Sequence, residues 1–214
     1  MTDRKIYDLR QNYDLSNLDE SDVAADPIVL FEEWFSLAVK NGVPEPNAMV
    51  LATSDDSGKV SQRTVLLKDF SEGFFEFYTN YNSKKAQDIS VQPQVSLLFL
   101  WLTLQRQVRI EGNAEKVSRQ KSETYFMSRP RQSCLAAWAS QQSTVLNHKK
   151  LLTDQYNYYK EKFKDQLVPC PDFWGGYVVK PQKIEFWQGG NDRLHDRLLF
   201  TKENNQWHLK RLYP

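Results

Sequence analysis

Over residues 48–117 the hydrophobic pattern has a period of two, and this most narrows the folds open to the chain. Residues 49–53 and 60–68 alternate and flank Asp55-Asp56-Ser57-Gly58, a hairpin turn by composition. Residues 74–79 read as a third strand after Glu72-Gly73. Ser83 is placed to cap a short helix that ends before Pro93. Residues 94–102 are apolar on both faces, as in a central strand, and residues 107–117 alternate with Val108, Ile110 and Ala114 inward. Antiparallel strands so closely spaced along the chain predict a barrel.

Helical periodicity flanks this block. Residues 1–25 are polar and acid-rich (Asp14, Asp19, Glu20, Asp22) and read as a flexible arm outside a single domain of residues 26–214. Asp26 can cap a helix with Pro27 at its first position and Gly42 past its end. Leu30, Phe31, Trp34, Phe35 and Ala38 share its buried face. Ser118 caps a further helix to about residue 128, Pro130 interrupts it, and another runs to about residue 140. Residues 143–164 read as a long polar helix with Leu146, Leu151, Leu152 and Tyr156 as its apolar stripe. Beyond Pro169-Cys170-Pro171 four strands are expected, at 177–180, 184–188, 194–201 and 207–213. Strands before and after the helices define an α+β fold built on a barrel.

Composition removes several classes. With 28 basic and 27 acidic residues among 214, the net charge is +1, against the excess that general nucleic-acid binding needs. The start lacks a signal peptide's apolar core, and the longest apolar run, residues 95–104, is about half of a membrane span, so a cytoplasmic protein with no membrane partner is expected. The two cysteines form no CxxC, and the three histidines have no ligand spacing, so no metal is expected. There is no GxSxG elbow. None of the eight glycines builds GxGxxG or GxxxxGK[ST], so any anion must be held largely by side chains.

The cations are grouped. In Arg193-Leu194-His195-Asp196-Arg197 an extended strand would point Arg193, His195 and Arg197 to one side. Either a ligand lies against that face or it is a solvated edge; the preceding Trp187-Gln188-Gly189-Gly190 offers a wall for a flat ligand. Arg63 and Lys68, five apart, face opposite ways in one strand. Lys84 and Lys85 sit in a first helical turn, where positive charge is unfavourable unless an anion joins them; two exposed lysines are the alternative. Tyr125 and Arg129 share a helix face, with Ser133 beyond Pro130, a weak signal for a second phosphate.

The segments RTVLLK (63–68), YTNYNSKKA (78–86), QRQVRIEG (105–112), YFMSRPRQS (125–133), FWGGY (173–177) and IEFWQGGNDRLHDR (184–197) closely resemble the pyridoxine/pyridoxamine 5′-phosphate oxidases, over nearly the whole chain. The resemblance implies a split β-barrel that binds flavin mononucleotide (FMN), and a homodimer with FMN at the subunit interface. It implies oxidation of pyridoxine or pyridoxamine 5′-phosphate by dioxygen to pyridoxal 5′-phosphate, with hydrogen peroxide released, and ammonia from the amine. The implied FMN contacts are Arg63, Thr64, Val65, Leu66, Leu67, Lys68, Tyr78, Thr79, Lys84, Lys85, Gln107, Gln142, Ser143, Trp187 and Arg197. Lys68, Tyr125, Arg129 and Ser133 would hold the substrate phosphate, with Arg193, Leu194 and His195 at its ring; Arg193 and His195 are the implied catalytic pair. Arg10, Gln11, Asn12 and Tyr13 resemble a segment that covers the occupied site. Lys84 stands where some relatives have Arg, and Glu45 where some have Asp; Glu45 receives no role. Another split-barrel flavin or deazaflavin reductase would lack the substrate set, and a non-catalytic flavin or pyridoxal-phosphate carrier would bind without consuming oxygen.

Overall fold

A computed structural model describes residues 6, 9 and 11–214. The elements are α1 (Pro27–Lys40), β1 (Ala48–Ser54), β2 (Val60–Leu66), β3 (Phe75–Asn80), α2 (Lys84–Val91), β4 (Gln94–Trp101), β5 (Arg106–Lys116), α3 (Arg119–Ser128), α4 (Arg131–Ala139), α5 (Lys149–Lys162), β6 (Trp174–Gln188), β7 (Asp196–Glu203) and β8 (Gln206–Arg211). The strands form one sheet in the order β2-β1-β4-β5-β6-β7-β8, with β3 also paired to β6. Arg10 lies outside the described residues.

The chain divides into two compact units. The first comprises the segment up to Ala48, Leu97–Glu111 and Gln182–Pro214; the second comprises Met49–Ser96 and Gly112–Pro181.

In the first unit α1 begins as its sequence predicts, with the Asp26 carboxylate accepting from the Ile28 amide. Its buried stripe of Leu30, Phe31, Trp34 and Ala38 packs Phe31 edge-on against Phe99 (ring centroids 5.1 Å apart) and Trp34 against Phe186 (5.2 Å). Each such aromatic removes enough apolar surface from water to contribute about 1.5–3 kcal/mol. In the second unit Phe77 stacks on Tyr177, and Phe126, Cys134, Leu135, Phe163, Val168 and Trp174 form a core beneath α3, α4 and α5.

Three expectations are corrected. The C-terminal part has three strands, not four: residues 174–188 are one strand that runs through Pro181. Strand β4 is central, between β1 and β5, but its second face is not fully buried: Leu100 is half exposed while Val95, Leu97, Phe99 and Trp101 are buried. The helix expected from residue 143 starts only at Lys149; Ser143 has left-handed backbone (φ 73°), which breaks a helix there.

Candidate active site

The second unit contains a cavity of about 840 Å³. Its walls include Arg63, Thr64, Val65, Leu66 and Lys68 from β2 and the turn after it, Tyr78 and Thr79 from β3, Lys84 and Lys85 from α2, and Tyr125, Arg129, Ser133, Gln142 and Ser143. Arg63 and Lys68 share this cavity despite their odd spacing, because β2 ends at Leu66 and strand alternation no longer governs Lys68. Leu67 is buried in the core and is not part of the wall.

At one end the cations converge. Lys85 is 8% exposed, and its ammonium donates to Thr79 Oγ1 (3.1 Å), Ser83 Oγ (3.2 Å) and Gln142 Oε1 (3.0 Å). All three acceptors are neutral, and no carboxylate of the described residues pairs with it. Burial, with the nearby Arg63 charge, pulls the Lys85 pKa down to about 8. Lys84 instead pairs with Asp88, one helical turn on, and reaches Asp55 at 3.6 Å. The buried Asp88 carboxylate also accepts from Thr53 (2.7 Å) and Ser61 (3.2 Å) and lies 3.9 Å from Arg63. Arg63 further donates to Thr53 Oγ1, Ser61 Oγ and the Leu51 carbonyl. Sequence reasoning missed Asp88, although its i,i+4 spacing from Lys84 is a readable signal.

At the other end the aromatics stack. Tyr78 and Tyr125 lie face to face with centroids 3.9 Å apart, and Tyr78 also stacks on Trp174 at 5.4 Å. The Arg129 guanidinium covers Trp174 at 4.5 Å. Its Nη1 is buried without a hydrogen-bond partner, and desolvation lowers its pKa. The Tyr78 phenol donates to the buried Glu76 carboxylate, which also pairs with Lys121; burial and that carboxylate raise the phenol's pKa. Glu76 was not singled out in the sequence either. Within a strand nothing distinguishes a buried carboxylate from a solvated one.

The remaining implied residues lie in the first unit. Asp192 and Arg193 have left-handed backbone (φ 52° and 65°), and β7 begins only at Asp196. Arg193, His195 and Arg197 are therefore not three alternate residues of one strand. Arg193 and His195 line a second cavity, of about 590 Å³, with Gln11, Asn12 and Tyr13. Leu194 is 73% exposed and does not line it. The Gly190 amide donates to His195 Nδ1 at 3.1 Å, so the neutral ring carries its proton on Nε2. Trp187 packs against the His195 ring at 4.7 Å and pairs across the ladder with Arg197. Arg197 is held by the buried Glu185 (2.8 and 2.9 Å) and by the Tyr213 carbonyl, while Arg109 takes the other Glu185 oxygen at 2.8 Å. Gln107 is half-buried on β5. Among the described residues no cluster of His, Cys, Asp or Glu is arranged to hold a metal, and no helix is long and apolar enough to cross a membrane.

A split-barrel fold with a cation-lined, aromatic-walled cavity defines the class of FMN-binding split-barrel proteins. An FMN-binding protein from Nostoc punctiforme shares this fold at a TM-score of 0.72 and 15% identity, covering 90% of this chain and all of that one. PhzG from Burkholderia lata, solved with tetrahydrophenazine-1-carboxylic acid, superposes with a TM-score of 0.89 at 26% identity, over 95% of this chain and all of that one. Residues 35–162 match the family described as pyridoxamine 5′-phosphate oxidase, and residues 174–214 match the pyridoxine 5′-phosphate oxidase C-terminal dimerisation region. The chain is 52% identical to pyridoxine/pyridoxamine 5′-phosphate oxidase 2 of Hydrogenovibrio crunogenus, over 98% of both. It is 50% identical to the oxidase of Teredinibacter turnerae, over 98% of this chain and 99% of that one. This chain belongs to the pyridoxine/pyridoxamine 5′-phosphate oxidase family.

FMN's phosphate fits what the cavity offers. Lys85, buried with no carboxylate counter-ion among the described residues and lying beside Arg63 and the start of α2, is matched to a dianion.

Proposed function

We propose that this chain oxidises pyridoxine 5′-phosphate or pyridoxamine 5′-phosphate to pyridoxal 5′-phosphate, with FMN as cofactor and dioxygen as final acceptor. One observation carries the reading: a single cavity holds two cations, the buried Lys85 and the half-buried Arg129 with its buried Nη1, that no carboxylate of the described residues neutralises. Burying a charge without a partner is costly, and two phosphate groups, one from cofactor and one from substrate, remove that cost.

The roles then divide. Lys85, Arg63 and Lys84 hold the FMN phosphate, with Gln142 and Ser143 beside it. Arg129, Tyr125, Ser133 and Lys68 hold the substrate phosphate, the Arg129 fork being preorganised by its stack on Trp174. When bound, FMN would supply a two-electron acceptor for the hydride leaving substrate C4′ as the 4′ hydroxyl or amine gives up a proton, and dioxygen would take the two electrons with two protons as hydrogen peroxide. The imine left by an amine substrate is hydrolysed by water, with loss of ammonia. Arg193 and His195 orient the ring, His195 as a hydrogen-bond donor through Nε2. Gln107, Trp187 and Arg197 complete the FMN site from a second copy of the chain, so that each cavity is closed across a homodimer interface. The match of residues 174–214 to a dimerisation region supports this arrangement.

The test is oxygen uptake by the FMN-loaded protein with pyridoxine 5′-phosphate, alongside chromatography of the released cofactor. Peroxide and pyridoxal 5′-phosphate should form in equal amounts. Flavin binding without oxygen uptake would identify a carrier, and turnover only with a nicotinamide donor would identify a reductase.

A further inference from the structure

The first 25 residues read as a loose arm, yet part of that stretch is tied down by side-chain hydrogen bonds within the first unit. Leu18 is buried, and its amide donates to Asp196 Oδ2 at 3.0 Å. Arg211, at the end of β8, uses its whole guanidinium there. Nε donates to Glu20 Oε1 (2.7 Å), Nη1 to Asp196 Oδ1 (2.7 Å), and Nη2 to the Leu18 carbonyl (2.9 Å) and the second Glu20 oxygen. Asp196 thus bridges the arm and Arg211 while it follows His195 directly in the chain.

Towards the N-terminus, the Asp14 and Leu15 amides both donate to Gln105 Oε1, at 3.0 and 3.3 Å. Beyond them the Tyr13 ring lies edge-on to Trp187 and tilted to His195, with centroids 5.8 Å away in each case. A Cβ on Gly189 would come within 2.7 Å of the Tyr13 side chain, so the backbone there is shaped to receive it. Three anchors spaced along eight residues fix where Tyr13 sits, and Tyr13 forms part of the cavity wall with Arg193 and His195.

We propose that Arg211 is a positioning residue for substrate: through Glu20, Leu18 and Asp196 it fixes the segment that holds Tyr13 over His195. This rests on the reading above that His195 and Arg193 receive the substrate ring. Arg211 itself does not line the cavity. Its loss should loosen the segment and weaken substrate capture while leaving FMN in place. A planar fork meets four acceptors on three residues at once, a geometry that a lysine ammonium reproduces only in part.

The experiment compares Arg211→Gln, Arg211→Lys, Glu20→Gln and Tyr13→Ala in the FMN-loaded dimer. Amide hydrogen exchange over residues 11–20 gives a readout that is independent of turnover. In Arg211→Gln exchange there should quicken by about tenfold or more, the loss of a charged contact being the cause. KM for pyridoxine 5′-phosphate should rise several-fold, with kcat within about twofold and the FMN Kd unchanged. Arg211→Lys should recover part of the KM, and Glu20→Gln, at an exposed position, should show a weaker form of the same defect. In a Tyr13→Ala background Arg211→Gln should raise KM no further, because the effect runs through Tyr13. Unchanged exchange in both the Arg211→Gln and Glu20→Gln proteins overturns the proposal. So does a KM effect that adds fully to that of Tyr13→Ala, or a parallel loss of FMN. If the unmodified protein fails to turn over pyridoxine 5′-phosphate, the functional reading fails instead, and exchange still decides whether Arg211 pins the segment.

Discussion

Lys85 carries its charge against its surroundings. Its pKa of about 8 lies below the ordinary 10.5, so below pH 8 the apoprotein bears the cost of a buried ammonium. As pH rises from about 8 towards 10.5, the folded state releases this proton before the unfolded chain does, and stability gains from this group. A bound phosphate beside it should draw that pKa back up. FMN binding at pH 8.5 should therefore take up a fraction of a proton, visible by calorimetry in buffers of different ionisation enthalpy. In Lys85→Met the uptake should vanish and FMN affinity should fall by about tenfold or more, while the apoprotein melts no lower. Proton release, or unaltered affinity, would place the phosphate elsewhere. Arg129 and Arg193 should separate in kinetics. A phosphate contact persists from ground state to transition state, so Arg129→Ala should raise KM with kcat less affected. Arg193→Ala, which loses ring alignment, should lower kcat markedly with some rise in KM. Both proteins should stay yellow. At this scale the sequence announces cations well, through pairs such as Lys84-Lys85, but not the buried carboxylates Asp88, Glu76 and Glu185 that aim them. Burial, which gives these acids their meaning, is a property of the fold.

Among the elements, what could be read depended on regular periodicity. Strands β1 and β5 and helix α1 follow their patterns because each buries a single face, whereas β3 is buried at nearly every residue. Pro181, a usual strand breaker, predicts two strands where the structure has the single strand β6. The registers show why it is tolerated: β3 pairs with residues 174–179 and β7 with residues 183–188, so the proline falls between the two ladders on that edge. The segment after Gly190 failed the other way. Alternation predicts one face for Arg193, His195 and Arg197, but left-handed backbone at Arg193 interrupts it, and arginine gives no warning of that conformation. Close approach at Gly112 is similarly silent in the sequence. A Cβ there would lie 2.2 Å from the Lys180 carbonyl oxygen. Gly112→Ala should force that backbone contact apart and lower stability by about 1–3 kcal/mol. The check is the denaturant midpoint; an unshifted midpoint would mean the two backbones separate freely.

At the scale of the whole molecule, the residues that the family resemblance joins in one site are divided between the two units of the chain. The cavity with Lys85 and Arg129 is built from the second unit, and Arg193 and His195 belong to the first. Nothing in the sequence distinguishes a partner made within the chain from one supplied by another copy, which is why this division was not legible there. A homodimer that completes each cavity with the Arg193 face of the other chain makes a prediction that a self-contained site does not. A Lys85→Met/Arg129→Ala double variant and an Arg193→Ala variant should each be nearly inactive at low substrate. After subunit exchange between equal amounts, half of the dimers contain one chain of each kind. In those, the intact cavity of one chain meets the intact Arg193 of the other, while the second site carries every lesion. Activity should then recover to about a quarter of the unmodified level, as random pairing in a two-fold dimer requires. If each chain completed its own site, mixing would restore nothing, because every cavity would retain at least one lesion. Native mass spectrometry of the same mixture confirms that mixed dimers formed, so that absent recovery counts against the shared site and not against the exchange.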